Sequence, residues 1–301
     1  MRFITQLLMQ GTFGSPGWGN ISDMSWSGST TAPVSDYYDI LSAATAGQIP
    51  SAFYLRPDGT MFFAGAGGSA GVRRWDMSTP FDLTTASYYG AVGSLPSGAG
   101  EPVGVFFEPD GTNLFMIGNG TNQIYRRPMT TPWTSQNNNT PESDSVTSLA
   151  KSGLFFRADG LRFYFTTTQI INTNTTINRV YQYDCGGAWS VNSVSSAGST
   201  SQTFTHSNGQ YEPFKSVDFS PDGTKMYVVR EVSSANNVMM QYPLASAWNV
   251  TTAGTATSVT LPTDLASATN MRMKQDGTAA FLLDRVNNGS GYGNVFRIGY
   301  S

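Results

Sequence analysis

The stretch Val217-Asp-Phe-Ser-Pro-Asp-Gly-Thr-Lys-Met226 decides the fold, because the chain repeats its pattern five times. In each copy an apolar strand leads into an Asp-Gly pair, and a second apolar or aromatic strand follows. The Asp residues recur at spacings of 52, 49, 63 and 54 residues, and such a period indicates a repeat architecture. The five pairs are Asp58 and Gly59, Asp110 and Gly111, Asp159 and Gly160, Asp222 and Gly223, and Asp276 and Gly277.

The residues around each Asp-Gly pair are typical of a tight β-hairpin. In Ser220-Pro-Asp-Gly223, proline presets φ at the second position, Asp tolerates the third, and Gly takes the positive φ that follows. This order predicts a type I turn with a glycine bulge. We interpret the turn Asp as structural, because a calcium site needs several oxygens that converge on one point. One Asp per repeat, spread over the fold, does not provide that.

A second landmark recurs nine or ten residues after the start of a later strand in the repeat. An aromatic residue stands there, after Thr-Pro, Gly-Ala or Ser-Ala, and we expect it to follow a short turn and open the next strand. The strand starts and their aromatics are Val72 and Phe81, Ile124 and Trp133, Val180 and Trp189, and Val238 and Trp248. Each repeat therefore has room for four short strands, which is the size of one β-propeller blade.

The last repeat lacks its aromatic, and the first residues of the chain supply a matching segment. After the strand at 295–298 no aromatic follows, whereas Trp18 precedes Asn-Ile-Ser at 20–22, which resembles the residues after Trp248. We predict an all-β, five-bladed β-propeller with four-stranded antiparallel blades, closed into a ring by an N-terminal strand. A six-bladed ring is the alternative, with the extra strand near 35–40. The predicted domains are an N-terminal arm at 1–14 and one propeller at 15–301.

Composition excludes several classes of function. Charged residues make up 12% of the chain against about 25% in typical soluble domains, and the net charge is −3. No basic field exists to attract nucleic acid. One cysteine, Cys185, and one histidine, His206, give no internal disulfide and little basis for a catalytic pair, and we expect no metal and no cofactor. We find no convincing signal peptide and no apolar run of about 20 residues, so we expect no membrane insertion.

The repeated string at 217–228, together with Met240-Gln-Tyr242 and Ala247-Trp-Asn-Val250, resembles β-propeller repeats of bacteriophage virion proteins and bacterial surface proteins. The resemblance covers about residues 15 to 301. It implies a virion location, with other virion proteins in a symmetric assembly and a host-surface glycan or protein as partners. The chain does not match the WD40 pattern, since Trp75-Asp76 occurs once without its Gly-His partner, and the kelch pattern is also missing.

Variable loops on a rigid scaffold are where binding usually occurs, and two of the four loop sets vary here. The repeated turns, between strands one and two and between strands three and four, share one face of the ring. The variable loops, between strands two and three and before strand one, share the other. We predict the contact residues on this second face, as follows: Glu101, Asn119, Asn122, Tyr211, Glu212, Arg230, Glu231, Asp284 and Arg285.

Three functions from different classes fit these observations. A non-enzymatic structural or attachment protein of a phage particle, in the tail or another appendage, is favoured by the low charge and the resemblance. A lectin is the second, although the variable loops share no aromatic residue from blade to blade. A glycoside hydrolase is the third, because Glu101, Glu212 and Asp284 come from three blades and hydrolysis needs two carboxylates about 5–10 Å apart. Asp218 and Glu108 are the obvious acids in the first strands of the repeats.

Overall fold

The repeats fold into five antiparallel sheets. A computed structural model describes residues 37–39, 50–66, 71–137, 140–147, 150–172, 175–194, 200–206, 212–232, 237–262, 265, 267–285 and 293–299. We number the blades along the chain, and the strand bounds follow by blade.

Blade 1 holds β2 Pro50–Leu55, β3 Met61–Ala66, β4 Gly71–Met77 and β5 Ala86–Gly93. Blade 2 holds β6 Pro102–Phe107, β7 Asn113–Gly118, β8 Gln123–Thr131 and β10 Glu142–Ser145, and the two-residue β9 Ser135–Gln136 also pairs with β8. Blade 3 holds β11 Ala150–Phe156, β12 Arg162–Asn172, β13 Thr175–Asp184 and β14 Thr200–His206. Blade 4 holds β15 Phe214–Phe219, β16 Lys225–Arg230, β17 Val238–Pro243 and β18 Thr257–Thr260. Blade 5 holds β19 Ala268–Met273, β20 Ala279–Asp284, β21 Asn294–Gly299 and β1 Tyr37–Asp39.

The first strands of the five repeats form the innermost layer. Each contacts the first strand of the next blade, from β2 to β6, β11, β15 and β19, and β19 contacts β2 again. The contacts therefore run in a closed circle around a central axis. The predicted five-bladed β-propeller is confirmed.

An N-terminal strand closes the ring, but it is a different segment from the predicted one. β1 pairs antiparallel with β21, with Tyr37 opposite Phe296 and Asp39 opposite Asn294, and it becomes the outer strand of blade 5. The stretch considered as the start of a sixth blade therefore belongs to the fifth. The predicted arm at 1–14, Trp18 and the segment at 20–22 lie outside the described residues.

All five Asp-Gly pairs occupy the turn between the first and second strands of a blade. The Gly N–H donates to the carbonyl three residues earlier, at 2.9 Å in blade 1 and 2.8 Å in the others. The Asp Oδ1 accepts from the backbone N–H two residues later, for example from Thr224 at 3.0 Å. Each turn Gly has a φ between 70° and 76°, the left-handed region that Gly enters without steric cost. Local side-chain chemistry thus sets the register of every hairpin.

The recurring aromatic lies in a turn and does not open the next strand, so that expectation is wrong. Phe81, Trp133, Trp189 and Trp248 have φ between 60° and 64°, and each donates its N–H to the carbonyl of its blade's turn Gly at 2.8–3.1 Å. A 3-10 turn follows in two blades, at Leu83–Thr85 and Val250–Thr252. Asn249 caps the second of these by accepting from the Thr251 N–H.

Aromatic pairs hold neighbouring blades together at three of the blade-to-blade contacts, which we call seams. Phe63 meets Phe107, Phe115 meets Phe156, and Tyr164 meets Phe219, each with ring centroids 4.4 Å apart. In each pair a second-strand residue of one blade packs on a first-strand residue of the next. Such pairs contribute roughly 0.5–1.5 kcal/mol each beyond the area they bury.

Candidate functional site

The axis of the ring opens into a cavity on the face that carries the Asp-Gly turns. Its volume is about 470 Å³. Each blade contributes the residue four positions before its turn Asp to the cavity lining, because that position lies on the innermost strand and faces the axis. The five equivalent residues are Tyr54, Phe106, Phe155, Asp218 and Arg272. Three aromatic rings and two opposite charges therefore surround the axis.

Arg272 is buried at the axis and bonds to three other blades. Its Nη1 donates to the Val217 carbonyl at 3.3 Å, and its Nη2 donates to the carbonyls of Val105, at 3.3 Å, and Leu154. The guanidinium also lies 5.6–5.9 Å from the ring centroids of Tyr54, Phe106 and Phe155. Burial lowers the pKa of Arg272, and the charge of Asp218 acts in the opposite direction. This side chain ties the inner strands together from the centre.

Asp218 is the buried acid of the same ring. Its Oδ1 accepts from the Phe219 N–H at 2.8 Å, and its Oδ2 accepts from the Met273 N–H of blade 5 at 2.7 Å. Burial raises the pKa of this carboxyl to about 6, while the Arg272 charge and the two backbone N–H groups oppose the rise. Both oxygens are thus bound to backbone, which orients the group.

The residues predicted from the variable loops lie at the other end of the blades. Glu101 and Asn119 bond to each other, since the Glu101 N–H donates to the Asn119 Oδ1 at 2.8 Å and the Asn119 N–H donates to the Glu101 carbonyl at 3.0 Å. Asn122 is exposed, and its Oδ1 accepts from Lys151 Nζ at 3.3 Å. Tyr211 lies outside the described residues.

The remaining predicted contact residues divide into buried and exposed groups. Glu212 is buried and forms an ion pair with Arg230 at 3.0 Å. Glu231 pairs with Lys215 at 2.8 Å. Asp284 is buried at the end of β20, whereas Arg285, the next residue, is exposed. Glu212 and Asp284 therefore lie inside the fold rather than on its surface.

A smaller cavity of about 140 Å³ lies on this second face. Lys151, Lys215 and Arg285 are among its lining residues, and Glu101, Glu212 and Asp284 are not. Burial lowers the pKa of Lys151. The part of the chain that the structure describes therefore places cations, and not a pair of carboxylates, around this opening.

Blade 3 has the longest second and third strands in the described part of the ring. β12 and β13 contain 11 and 10 residues, whereas the second strands of the other four blades contain six. Ile170 and Ile171 lie near the tip of this hairpin, with 63% and 51% of their surface exposed. A variable loop was predicted between these two strands, and the continuation of the sheet into it was not. The many threonines and isoleucines of this stretch were the signal, because β-branched residues favour strands.

Cys185 is a poor candidate for a reactive thiol, and the side chain of His206 lies outside the described part of the structure. Burial raises the pKa of the Cys185 thiol to about 12, and the nearby charges of Asp184 and Asp159 act in the same direction. The thiol is therefore protonated at neutral pH, and a protonated thiol is a poor nucleophile. Among the described residues no group of three or more His, Cys, Asp or Glu side chains could hold a metal ion.

Comparisons with known proteins support no assignment beyond the fold that the chain itself displays. No protein-family model matches the chain, and no curated protein sequence matches it. No helix in the described part of the chain is long and apolar enough to cross a membrane.

Several solved structures are similar in part. The β-propeller domain of Cps50 (Swd1) from Myceliophteria thermophila is 9% identical, with 81% of this chain and 69% of that chain covered and a TM-score of 0.43. The WD40 repeats of RRP9 are 10% identical, with 90% and 99% covered and a TM-score of 0.44. Hydrazine synthase from Kuenenia stuttgartiensis is 13% identical, with 82% and 77% covered and a TM-score of 0.44.

Proposed function

We propose that this chain is a non-enzymatic structural or attachment component of a phage particle. It binds other virion proteins, or a host surface, through the face that carries the variable loops. The observation that carries this proposal is the long-stranded hairpin of blade 3, which presents two exposed isoleucines, Ile170 and Ile171, near its tip. Exposed apolar side chains on a rigid, protruding element are typical of protein contact sites.

The surrounding chemistry fits contact with a macromolecule. Asn119, Asn122 and Arg285 on the same face are exposed, so an apolar tip is accompanied by neutral and basic polar groups. Aromatic or aliphatic anchors within a polar rim are the usual composition of a protein interface. The resemblance of the repeats to those of virion proteins supplies the biological setting of the proposal.

The placement of the carboxylates supports binding rather than hydrolysis. Glu212 pairs with Arg230, and both oxygens of Asp218 accept backbone N–H groups. Glu108 accepts from the side chains of Asn113 and, at 3.2 Å, Thr112. A glycoside hydrolase needs one acid and one nucleophile or base that both face the substrate.

The first experiment is quantitative mass spectrometry of purified phage particles from the source. We expect peptides of this chain at a fixed ratio to the major structural proteins. Absence from particles that are otherwise complete would overturn the virion assignment. A glycan array with the recombinant protein then separates attachment to a host sugar from contact with other virion proteins.

A paired substitution tests the contact surface itself. We expect Ile170→Ser combined with Ile171→Ser to reduce incorporation into particles at least tenfold while leaving thermal unfolding unchanged, because both side chains are exposed. The matched control is Leu161→Ser, which removes another exposed aliphatic side chain, 41% exposed, from the opposite face. Equal incorporation of the double variant and the control would show that the hairpin tip is not the contact.

A further inference from the structure

The axial cavity is built from two rings of equivalent residues. The first ring consists of the five axial residues described above, which lie four positions before each turn Asp. We call this ring the floor of the cavity. The second ring lies one position before each turn Asp and surrounds the mouth. Its members are exposed: Pro57, Pro109, Ala158, Pro221 and Gln275. Every blade thus contributes to both the floor and the mouth, and four of the five mouth residues are apolar.

Aromatic side chains dominate the floor and the wall of the cavity. Tyr54 and Phe106 meet edge to face with ring centroids 5.2 Å apart, and Phe106 meets Phe155 in the same way at 5.7 Å. Phe81 and Trp248 line the wall. A flat apolar molecule would find ring faces and edges on several sides, which is the environment that planar ligands prefer.

The charges at the cavity are unevenly distributed around the ring. Arg272 and Lys274 come from blade 5 and Arg56 from the adjacent blade 1, so three cations lie on one side of the cavity. Lys274 pairs with Asp276 at 2.7 Å, and Arg56 pairs with Asp58 at 3.2 Å. Both turn carboxylates are largely exposed to solvent, where such pairs are weak, and each cation retains further N–H donors.

Arg272 also has a donor without an acceptor. Its two terminal nitrogens bond to backbone carbonyls, but its Nε has no hydrogen-bond partner among the described residues and is buried. A buried donor without a partner is unfavourable, so this Nε–H is available to an acceptor that enters the site. The side chain that carries this donor lines the cavity floor.

We propose that the axial cavity on the Asp-Gly face binds a small organic acid with a planar aromatic body. The ring of the ligand packs among Tyr54, Phe106 and Phe155, and its carboxylate points toward the cations of blades 5 and 1. A volume of about 470 Å³ lies within the roughly 300–1,000 Å³ of typical ligand sites. This site lies on the opposite face from the proposed macromolecular contact, so either proposal can fail without the other.

Isothermal titration calorimetry on the full chain tests the proposal with a pair of probes of equal shape. Indole-3-acetate carries the carboxylate, and indole-3-acetamide replaces it with a neutral amide. We expect the acid to bind at least tenfold more tightly than the amide at neutral pH. Equal affinities would overturn the role of the cations, and an absence of binding by the acid at millimolar concentration would overturn the site.

Two substitutions at the exposed mouth locate the binding without disturbing the core. Ala158→Trp places a large ring in the mouth, and we expect at least a tenfold loss of affinity for indole-3-acetate with unchanged thermal unfolding. Its control is Ala245→Trp, an exposed alanine that does not line the cavity. Lys274→Gln should weaken binding of the acid severalfold and leave the amide unaffected. Unchanged binding of the acid to the Ala158→Trp variant would place the ligand elsewhere.

Discussion

At the scale of single residues, the ring departs most clearly from its fivefold repeat at the axis. Three blades place an aromatic ring there, and the other two place Asp218 and Arg272. Arg272 satisfies backbone carbonyls of three strands, which no apolar residue could do. Asp218 in turn accepts the N–H of Met273 and so joins blade 4 to blade 5. Two charged residues thus hold together a centre that is otherwise aromatic.

The buried carboxyl makes stability depend on pH. The pKa of Asp218 in the fold, about 6, lies above the value of roughly 3.9 expected in the unfolded chain. Between these values the folded protein keeps a proton that the unfolded chain has lost. The contribution of the Asp218 carboxyl to the free energy of unfolding is therefore fully present below about pH 4. It is lost as the pH rises through 6, and the loss amounts to up to about 3 kcal/mol.

Asp218→Asn removes this dependence. We expect the stability of the variant relative to the native protein to rise between pH 4 and pH 7, measured by urea unfolding at several pH values. Asp222→Asn is the control of opposite sign, because hydrogen bonds from Ser220 and Thr224 outweigh partial burial and hold the pKa of that turn carboxyl low. Its variant should instead lose relative stability as the pH rises toward 4 from below, and should change little between pH 4 and pH 7. A difference in stability between Asp218→Asn and the native protein that stays constant across pH would contradict the effect of burial on the Asp218 pKa.

The turn glycines lead to a second prediction at the scale of single residues. Gly223 has a φ of 70°, and a Cβ on it would overlap the indole of Trp248. We expect Gly223→Ala to cost about 2 kcal/mol or more in the free energy of unfolding, through the left-handed backbone and the displaced ring. Gly187→Ala is the control, because it has open space around the new methyl group. Chemical denaturation compares the two, and equal stabilities would refute the packing argument.

At the scale of elements, the hairpin of blade 3 has a base that stabilises the fold and a tip that we propose binds a partner. The pair Thr168 and Asn178 stands where the extension leaves the blade, opposite each other in the register. Asn178 holds the neighbouring blade, because it donates to the Glu212 carbonyl and accepts from the Phe214 N–H. Beyond this pair the described residues of the hairpin pair with each other and, at Thr176 and Ile177, with β14, so shortening the hairpin leaves the bonds of Asn178 to blade 4 in place.

We expect replacement of residues 169–177 by Asn-Gly to give a short hairpin with native-like β-sheet circular dichroism. The melting temperature should fall by only a few degrees, because Asn-Gly suits a two-residue hairpin turn and Asn178 keeps its partners. Incorporation into particles should be lost. Extending the deletion to Asn178 is the contrast, and it should destabilise the fold clearly. Normal incorporation of the first variant would contradict the proposed function.

At the scale of the whole molecule, ring closure depends on one short strand. β1 contributes three residues to the edge of β21 and also contacts the 3-10 turn at Leu83–Thr85 of blade 1. It therefore shields the edge of the last blade and touches the first. A strand edge left open would otherwise be free to pair with another chain.

Two truncations test closure. We expect deletion of residues 1–39 to cost about 1–3 kcal/mol, in proportion to the few ladder hydrogen bonds lost, and to increase self-association in sedimentation experiments. Deletion of residues 1–14 alone is the control, with unchanged melting and circular dichroism. If the arm at 1–14 mediates assembly with other virion proteins, this shorter deletion also abolishes incorporation into particles. Unchanged stability of the longer deletion would show that β1 does not hold the ring.

Local chemistry explains what was predictable from the sequence. The Asp-Gly turns specify their hairpins within a few residues, so blade number and strand order follow from counting them. The axial cavity follows from no local pattern, since Arg272 meets Val105 across 167 residues of sequence. Its five floor residues share a position but not a chemical type. The turn conformation of the recurring aromatic was also not predictable from the sequence. The positive φ of each tryptophan depends on the hydrogen bond from its N–H to the carbonyl of the turn Gly.

The turn tryptophans have a consequence for spectroscopy. Trp133, Trp189 and Trp248 each stack on an inner-strand ring of the preceding blade, on Tyr54, Phe106 and Phe155 respectively. Half of the six tryptophans in the chain are therefore intrinsic fluorophores at successive seams. If two blades separate, the indole at their seam is exposed to solvent and its emission shifts to the red. The β-sheet circular dichroism signal is retained, because the sheets themselves stay intact. Variants that keep one of these fluorophores would report which seam opens first.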